Sequence, residues 1–139
     1  MLPEKVREFV GQTHRGVLTT FRRNGAAQMS IISCGPMGDG VAFTVTHDRV
    51  KLKNLQRNPS CSLLVSNESW WGFVVLEGRA EIMSADNTEP EAFREALRDA
   101  YRTSSGEEHS NWEEYDQAMR DDRCSVIIVV PERIYGTAA

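Results

Sequence analysis

The sequence predicts an α+β fold, a small antiparallel barrel of about six strands with peripheral helices, in a single domain spanning residues 1–139. Three observations predict it. Asn24-Gly25 lies between two β-rich runs, and this dipeptide is the strongest short hairpin signal because a type I′ turn needs positive φ at both central positions. Further strand-like runs follow with only turns or one short helix between them, and closing such a sheet removes its exposed edges. Helical patterns come late in the chain, where Thr88 with Glu91 and Ser110 with Glu113 both have capping-box spacing.

Pro3 to Gln12 carries Val6, Phe9 and Val10 at helical spacing, with proline near its start and Gly11 near its end, and reads as a short amphipathic helix. Gly16 to Arg22 and Ala26 to Cys34 are the strands of the Asn24-Gly25 hairpin. Gly35 to Gly40 is a turn leading into a strand from Val41 to Thr46. A short helix follows and stops at Asn58-Pro59, where asparagine tolerates a left-handed cap and proline cannot continue. Ser60 to Ser66 is a strand, and Trp71 to Ser84 is a long one with a bulge or bend at Gly78. Phe93, Ala96, Leu97, Ala100 and Tyr101 line one face of the first late helix, and Trp112, Tyr115 and Met119 one face of the second. Cys124 to Val130 is nearly all apolar and reads as a strand buried on both faces and ended by Pro131.

At 139 residues the chain is long enough to bury a proper core, and its 40% hydrophobic and 26% charged residues are those of an ordinary globular protein. The net charge of −4 disfavours a nucleic-acid partner, which calls for a basic excess. No apolar run approaches the ~20 residues of a membrane span, and the early charges of Glu4 and Lys5 do not fit a signal peptide, so a cytoplasmic protein is expected. Cys34, Cys61 and Cys124 are odd in number and far apart, and read as reduced, buried, small apolar residues, with a redox-active pair as the alternative.

The stretch from Thr46 to Pro59 stands out. It places Thr46, Asp48, Arg49, Lys51 and Lys53 at the opening of a helix, whose N-terminus carries unpaired N–H groups and about half a positive charge. Such a group makes a socket for a phosphate or another small polyanion, or else a solvated basic face. Other chemistry is missing. His14, His47 and His109 show no metal-ligand spacing with one another or with the cysteines, and read as surface or capping residues. There is no nucleophile elbow, Walker loop or dinucleotide glycine fingerprint. Glu77 is expected to pair with a barrel arginine such as Arg79 rather than to act as a base. An enzyme with so little machinery of its own needs a cofactor for the hard step.

The hairpin GVLTTFRRNGAAQMSII, the strand and helix TVTHDRVKLKNLQRNPSCSLLVS and the strand WWGFVVLEGRAEI resemble the split β-barrel flavin and deazaflavin oxidoreductases, relatives of pyridoxamine 5′-phosphate oxidase. The later YRTSSGEEHSNWEEYDQAMRDDRCSVIIVVPERIYG resembles their F420-binding subgroup B. The resemblance runs from about Val6 to Gly136, and its most specific part is the Arg-x-Lys-x-Lys-Asn-Leu-x-x-Asn-Pro pattern. It implies an α+β split antiparallel barrel of the FMN-binding type, and a homodimer with two cofactor sites at the subunit interface. By the same resemblance the cofactor phosphate meets Thr46, Arg49, Val50, Lys51 and Lys53. The ring lies beside Gln28, Met29, Ser30 and Ile31, and Trp71 reaches it from the partner subunit, unless Trp71 is an ordinary barrel tryptophan.

The resemblance further implies an F420-dependent oxidoreductase that transfers a hydride between reduced coenzyme F420 and a small unsaturated or planar acceptor. The charge of Arg49, Lys51, Lys53 and Arg57 suits the lactyl-phosphate and polyglutamate tail of F420. The alternatives are an FMN-dependent enzyme of the pyridoxamine 5′-phosphate oxidase type and a non-catalytic carrier of F420 or flavin. Against pyridoxamine phosphate as substrate, Glu132 to Ala139 holds no match to the Arg and His motif that binds the substrate phosphate.

Overall fold

The computed structural model describes residues 2–139. Four helices, α1 (Glu4–Thr13), α2 (Val50–Arg57), α3 (Pro90–Ser105) and α4 (Trp112–Asp121), surround seven strands. These are β1 (Arg15–Phe21), β2 (Ala27–Ser33), β3 (Gly35–Met37), β4 (Gly40–Val45), β5 (Ser60–Ser66), β6 (Phe73–Met83) and β7 (Ser125–Tyr135). They form one antiparallel sheet in the order β2-β1-β5-β6-β7-β4-β3. The α+β barrel class is therefore as expected, with one strand more than the sequence suggests. Hydrogen bonding does not close the barrel. The edge strands β2 and β3 are separated in sequence by Cys34 alone, so the sheet must curl until those edges meet at one corner.

The curl creates two apolar clusters. Inside it, Leu18, Phe43, Leu63, Val65, Val74, Leu76 and Ile127 pack with Val6 and Val10 of α1 and Leu52 and Leu55 of α2. Outside it, α3 and α4 cover β4 and β7, joining Ala96, Leu97, Ala100 and Tyr115 to Ala42, Val126 and Ile128. The strand from Ser125 to Val129 is thus buried on both faces, as its unbroken apolar run predicts.

Several local expectations are corrected. The β1–β2 hairpin is a three-residue loop rather than a type I′ turn: Gly25 alone has positive φ (+88°), its N–H donates to Arg22 O, and Arg22 N donates to Ala26 O. Gly35–Met37 is a short strand rather than part of a turn, because β4 offers it a partner from Gly40 to Ala42. Asn58 is extended (φ −141°), so the left-handed cap expected there does not form. The α3 cap is Glu89, whose carboxylate accepts the N–H groups of Glu91 and Ala92, and the α4 cap is Asn111; each lies one residue after the expected Thr88 and Ser110. Trp70 and Trp71 belong to the β5–β6 loop, before the strand begins.

Pro131 does not end β7, which runs on to Tyr135. The ladder to β4 stops at Val129, so the missing N–H of proline costs nothing on that side. On the other side the β6 register shifts between Glu77 and Gly78, the irregularity expected at the glycine. A Cβ on Gly78 would run into the Val130 carbonyl, which explains the residue. Glu77 faces Arg133 of β7 at 3.8 Å, not Arg79, because Arg79 lies on the same strand two positions on.

Candidate functional site

The sequence from Thr46 to Lys53 turns off the end of β4 and opens α2. Arg49 is the N-cap, with extended backbone (φ −77°, ψ 139°) and no side-chain cap. Leu52 N and Lys53 N reach Arg49 O at 3.2 and 3.4 Å, whereas the N–H groups of Val50 and Lys51 find no acceptor among the described residues. Free N–H groups at a helix start are an anion site in waiting. Arg49, Lys51 and Lys53 form no ion pair with any described carboxylate. Burial and the neighbouring Arg49 charge together push the Lys51 ammonium below its ordinary pKa, two costs that a bound anion would offset. Thr46 is differently placed from expectation: its hydroxyl already donates to Asp48 Oδ1 at 2.6 Å. That bond holds the Asp48 carboxyl below its usual range, and Thr46 must exchange it before it can serve another anion.

β2 divides its four predicted residues between two faces. Gln28 and Ser30 point into the barrel beside Thr20 and Leu18, and Met29 (64% exposed) and Ile31 (71%) point out. As an edge strand, β2 also presents backbone N–H and C=O groups that pair with no other strand. Ser30 Oγ is buried without a hydrogen-bond partner.

A polar chain unforeseen from the sequence joins this strand to α2. Arg57 Nη2 donates to Phe21 O at 2.6 Å and to Asn54 Oδ1 at 3.0 Å. Asn54 Nδ2 donates to Thr20 Oγ1 at 3.1 Å, and Thr20 Oγ1 donates to Gln28 Oε1 at 3.1 Å. Asn54 lies one helical turn after Val50 and Lys51, so the chain ties the cationic turn to β2 through the barrel wall. Arg57 is therefore a structural anchor rather than a fourth free cation. The signal available in the sequence was Asn54 in an otherwise amphipathic helix, a polar residue on the face that buries Leu52 and Leu55.

Trp71 is not brought to this group within one chain. It sits on the β5–β6 loop, past the far end of β5 from α2, and a seven-residue strand spans about 20 Å. It is 84% exposed. The loop holds it firmly: Trp70 is left-handed at φ +68°, Asn67 N donates to Gly72 O at 2.9 Å, and Thr137 Oγ1 donates to Trp71 O at 2.6 Å.

His14 and His47 lie at a helix cap and on the surface, whereas His109 is half-buried among Tyr101, Trp112 and Tyr115, its Nδ1 accepting from Asn111 N. His14 ends α1 in the left-handed conformation, and His47 N donates to Asp122 O at 3.4 Å. Among the described residues no cluster of His, Cys, Asp or Glu could hold a metal, and no helix is long and apolar enough to cross a membrane. All three cysteines are buried and free; burial pushes the Cys34 thiol up to about 12 and that of Cys61 to about 11.

The fold is shared with several solved structures. A conserved hypothetical protein from Mycobacterium tuberculosis superposes with a TM-score of 0.76 at 20% identity, over 96% of this chain and 83% of that one. An F420 reductase gives 0.65 at 22% identity, over 96% and 98%. HupZ of Group A Streptococcus gives 0.68 at 15% identity, over 100% and 96%. At these identities the likeness establishes the split-barrel fold and no more. The sequence comparison reaches further, since residues 2–138 match the pyridoxamine 5′-phosphate oxidase family. With the match covering nearly every residue of the barrel and its helices, this chain belongs to the pyridoxamine 5′-phosphate oxidase family.

Proposed function

We propose that the protein is an F420-dependent oxidoreductase that acts on a small unsaturated or planar organic molecule. The observation that carries this reading is the α2 opening, where Arg49, Lys51 and the N–H groups of Val50 and Lys51 all lack partners. These groups fit the phosphate of a flavin or deazaflavin, and Lys53 continues the positive charge for a more acidic tail. Ser30 Oγ and the free edge of β2 fit a polar ring edge, since they offer donors and acceptors with nothing else to satisfy them. When bound, the deazaflavin supplies or takes the hydride. The chain's own part is to anchor the tail, to hold β2 in register through Asn54, Thr20 and Gln28, and to keep water from the ring. The F420 reductase among the similar folds favours the deazaflavin; the family match leaves FMN as the second reading.

The working unit in this proposal is a homodimer. Ile31, Val17, Leu64, Val75 and Tyr135 lie side by side across β2, β1, β5, β6 and β7, on the outer face of the sheet. None of them belongs to either apolar cluster, and Ile31 and Tyr135 are exposed. An apolar row of this kind suits a second copy of the same face. Such packing would let Trp71, remote from its own α2, stack on the cofactor of the partner.

Fluorescence titration of F420 and FMN into the parent and into an Arg49→Ala/Lys51→Ala variant tests the reading. F420 is expected to bind more tightly than FMN, and the double variant to weaken it by well over tenfold, since one charged hydrogen bond contributes ~1.5–3 kcal/mol. Tight FMN binding with weak F420 binding would move the assignment to FMN. Unchanged affinity in the double variant would reduce the basic turn to a solvated surface. Tight binding with no turnover of any acceptor would make the protein a carrier.

A further inference from the structure

A large cavity lies elsewhere. It is a cleft of about 850 Å³ between α2, α3, α4 and the loop that joins β6 to α3, and none of the ten residues expected at the cofactor site lines it. Its volume falls in the range of small-molecule pockets. The helix α2 separates the two regions, turning Leu52 and Gln56 to the cleft while Arg49, Lys51 and Lys53 lie outside its lining. Phe93 and Met119 are half-buried and give it an apolar floor, backed by Leu52, Leu97 and Cys124, which are already buried.

Charge around this floor is unequally spent. The Asp116 carboxylate is gripped by Arg98, with Nε at 3.1 Å and Nη2 at 2.6 Å. Glu89 is committed to capping α3, and Glu91 lies 3.7 Å from Arg94. Asp86, on the exposed β6–α3 loop, is the one lining carboxylate without a partner among the described residues. Against it stand two arginines that form no ion pair with a described carboxylate, although the Arg120 charge still acts on Asp116. Arg120 donates only to Gln117 Oε1, at 2.8 Å, and the Arg123 guanidinium donates to nothing among the described residues. Arg123 also has a left-handed backbone (φ +48°), an unfavourable conformation for a long side chain, in the turn between α4 and β7. Its own N–H donates to Arg120 O at 3.2 Å, which keeps the two arginines in one turn.

We propose that this cleft is a second binding site, for an amphiphile with an apolar body and a single anionic head. The body lies on Phe93 and Met119, above the buried Leu52 and Leu97, and the head pairs with Arg123, assisted by Arg120. Guanidinium groups bind two-oxygen anions in a forked geometry, and the apolar floor supplies the area that a small anion alone would lack. The site can be tested separately from the cofactor reading, because none of the residues expected to hold the cofactor lines it, although Leu52 of α2 borders both regions.

Calorimetric titration of the full-length protein with dodecanoate tests it, with dodecanol and dodecyltrimethylammonium as neutral and cationic counterparts. Dodecanoate is expected to saturate at one per chain and to bind at least fivefold more tightly than either counterpart. The variant Arg123→Gly removes the guanidinium and relaxes the left-handed turn, so it does not endanger folding; it should abolish the preference for the anion. Arg123→Lys should restore part of it. The Arg49→Ala/Lys51→Ala variant should bind dodecanoate as the parent does. Absence of saturable binding, equal affinity for the cationic probe, or an anion preference that survives Arg123→Gly would each overturn the proposal.

Discussion

Replacing Asn54 by leucine keeps the side chain close to its original size and removes its polar atoms from the wall between α2 and β1. Asn54 is 4% exposed and Thr20 fully buried, so neither can turn to water for a new partner. Two bonds are lost, the one donated to Thr20 Oγ1 at 3.1 Å and the one accepted from Arg57 at 3.0 Å. The first is a neutral buried bond contributing ~1 kcal/mol. The second is charge-assisted, but Arg57 is exposed and keeps Phe21 O, so it contributes ~1 kcal/mol rather than the full value. Thr20 still donates to Gln28, which spares the hydroxyl from complete isolation. The expected loss is ~2–3 kcal/mol, read as a fall of ~1–1.5 M in the urea midpoint at an unchanged slope of ~2 kcal/mol per M. Thr20→Val should cost less, and the two changes together should show ~1 kcal/mol of coupling in a double-mutant cycle. A loss below ~0.5 kcal/mol for Asn54→Leu, or strict additivity with Thr20→Val, would refute the chain linking α2 to β2.

Trp71→Ala should leave the denaturation midpoint within ~0.5 kcal/mol of the parent, as the side chain is almost fully exposed, yet weaken cofactor binding in the same fluorescence titration. Equal loss in both measurements would make Trp71 a structural residue. Burial raises the thiol pKa at Cys34, Cys61 and Cys124, so Ellman's reagent at pH 7.5 should label the native protein slowly and all three thiols quickly after unfolding. Rapid labelling of the native protein would contradict the packing. The hydrogen bonds from Arg98 hold the Asp116 carboxyl below its ordinary value, so this pair stabilises the fold above the unfolded carboxylate range and loses that contribution as pH falls through the lowered value. Acid unfolding curves of Asp116→Asn should therefore be flatter below pH 4 than those of the parent, and an identical slope would remove the pair from the acid response.

Elements whose partners lie close in sequence were the legible ones. The β1–β2 hairpin announces itself through Asn24-Gly25, and the turn type differs only because the loop holds three residues, leaving Asn24 to accept from Ala26 N instead of adopting positive φ. The helix caps slip by one residue because Glu89 and Asn111 can do locally what Thr88 and Ser110 promised. Gly35–Met37 carries no strand propensity of its own and is a strand only because β4 runs beside it. The passage of β7 through Pro131 likewise depends on where the β4 ladder stops, which no local pattern encodes. At the site, the spacing of Arg49, Lys51 and Lys53 was readable. The role of Arg57 was not, since its acceptors are Phe21 O and Asn54, brought to it by the tertiary fold.

The strand order also bears on how the chain folds as it is made. β1 with β2 and β5 with β6 are successive pairs that can form as soon as they are synthesised, and so is the short β3–β4 hairpin. Within the sheet, the hairpin of β3 and β4 joins the other strands only through β7, whose Val129 faces Val41. Until β7 emerges, two incomplete sheets wait with apolar edges uncovered. The helices α3 and α4 lie between β6 and β7 in sequence, and by folding compactly they shorten the span that β7 must close. Lengthening or loosening that helical pair should slow the final pairing far more than it alters the stability of the finished barrel.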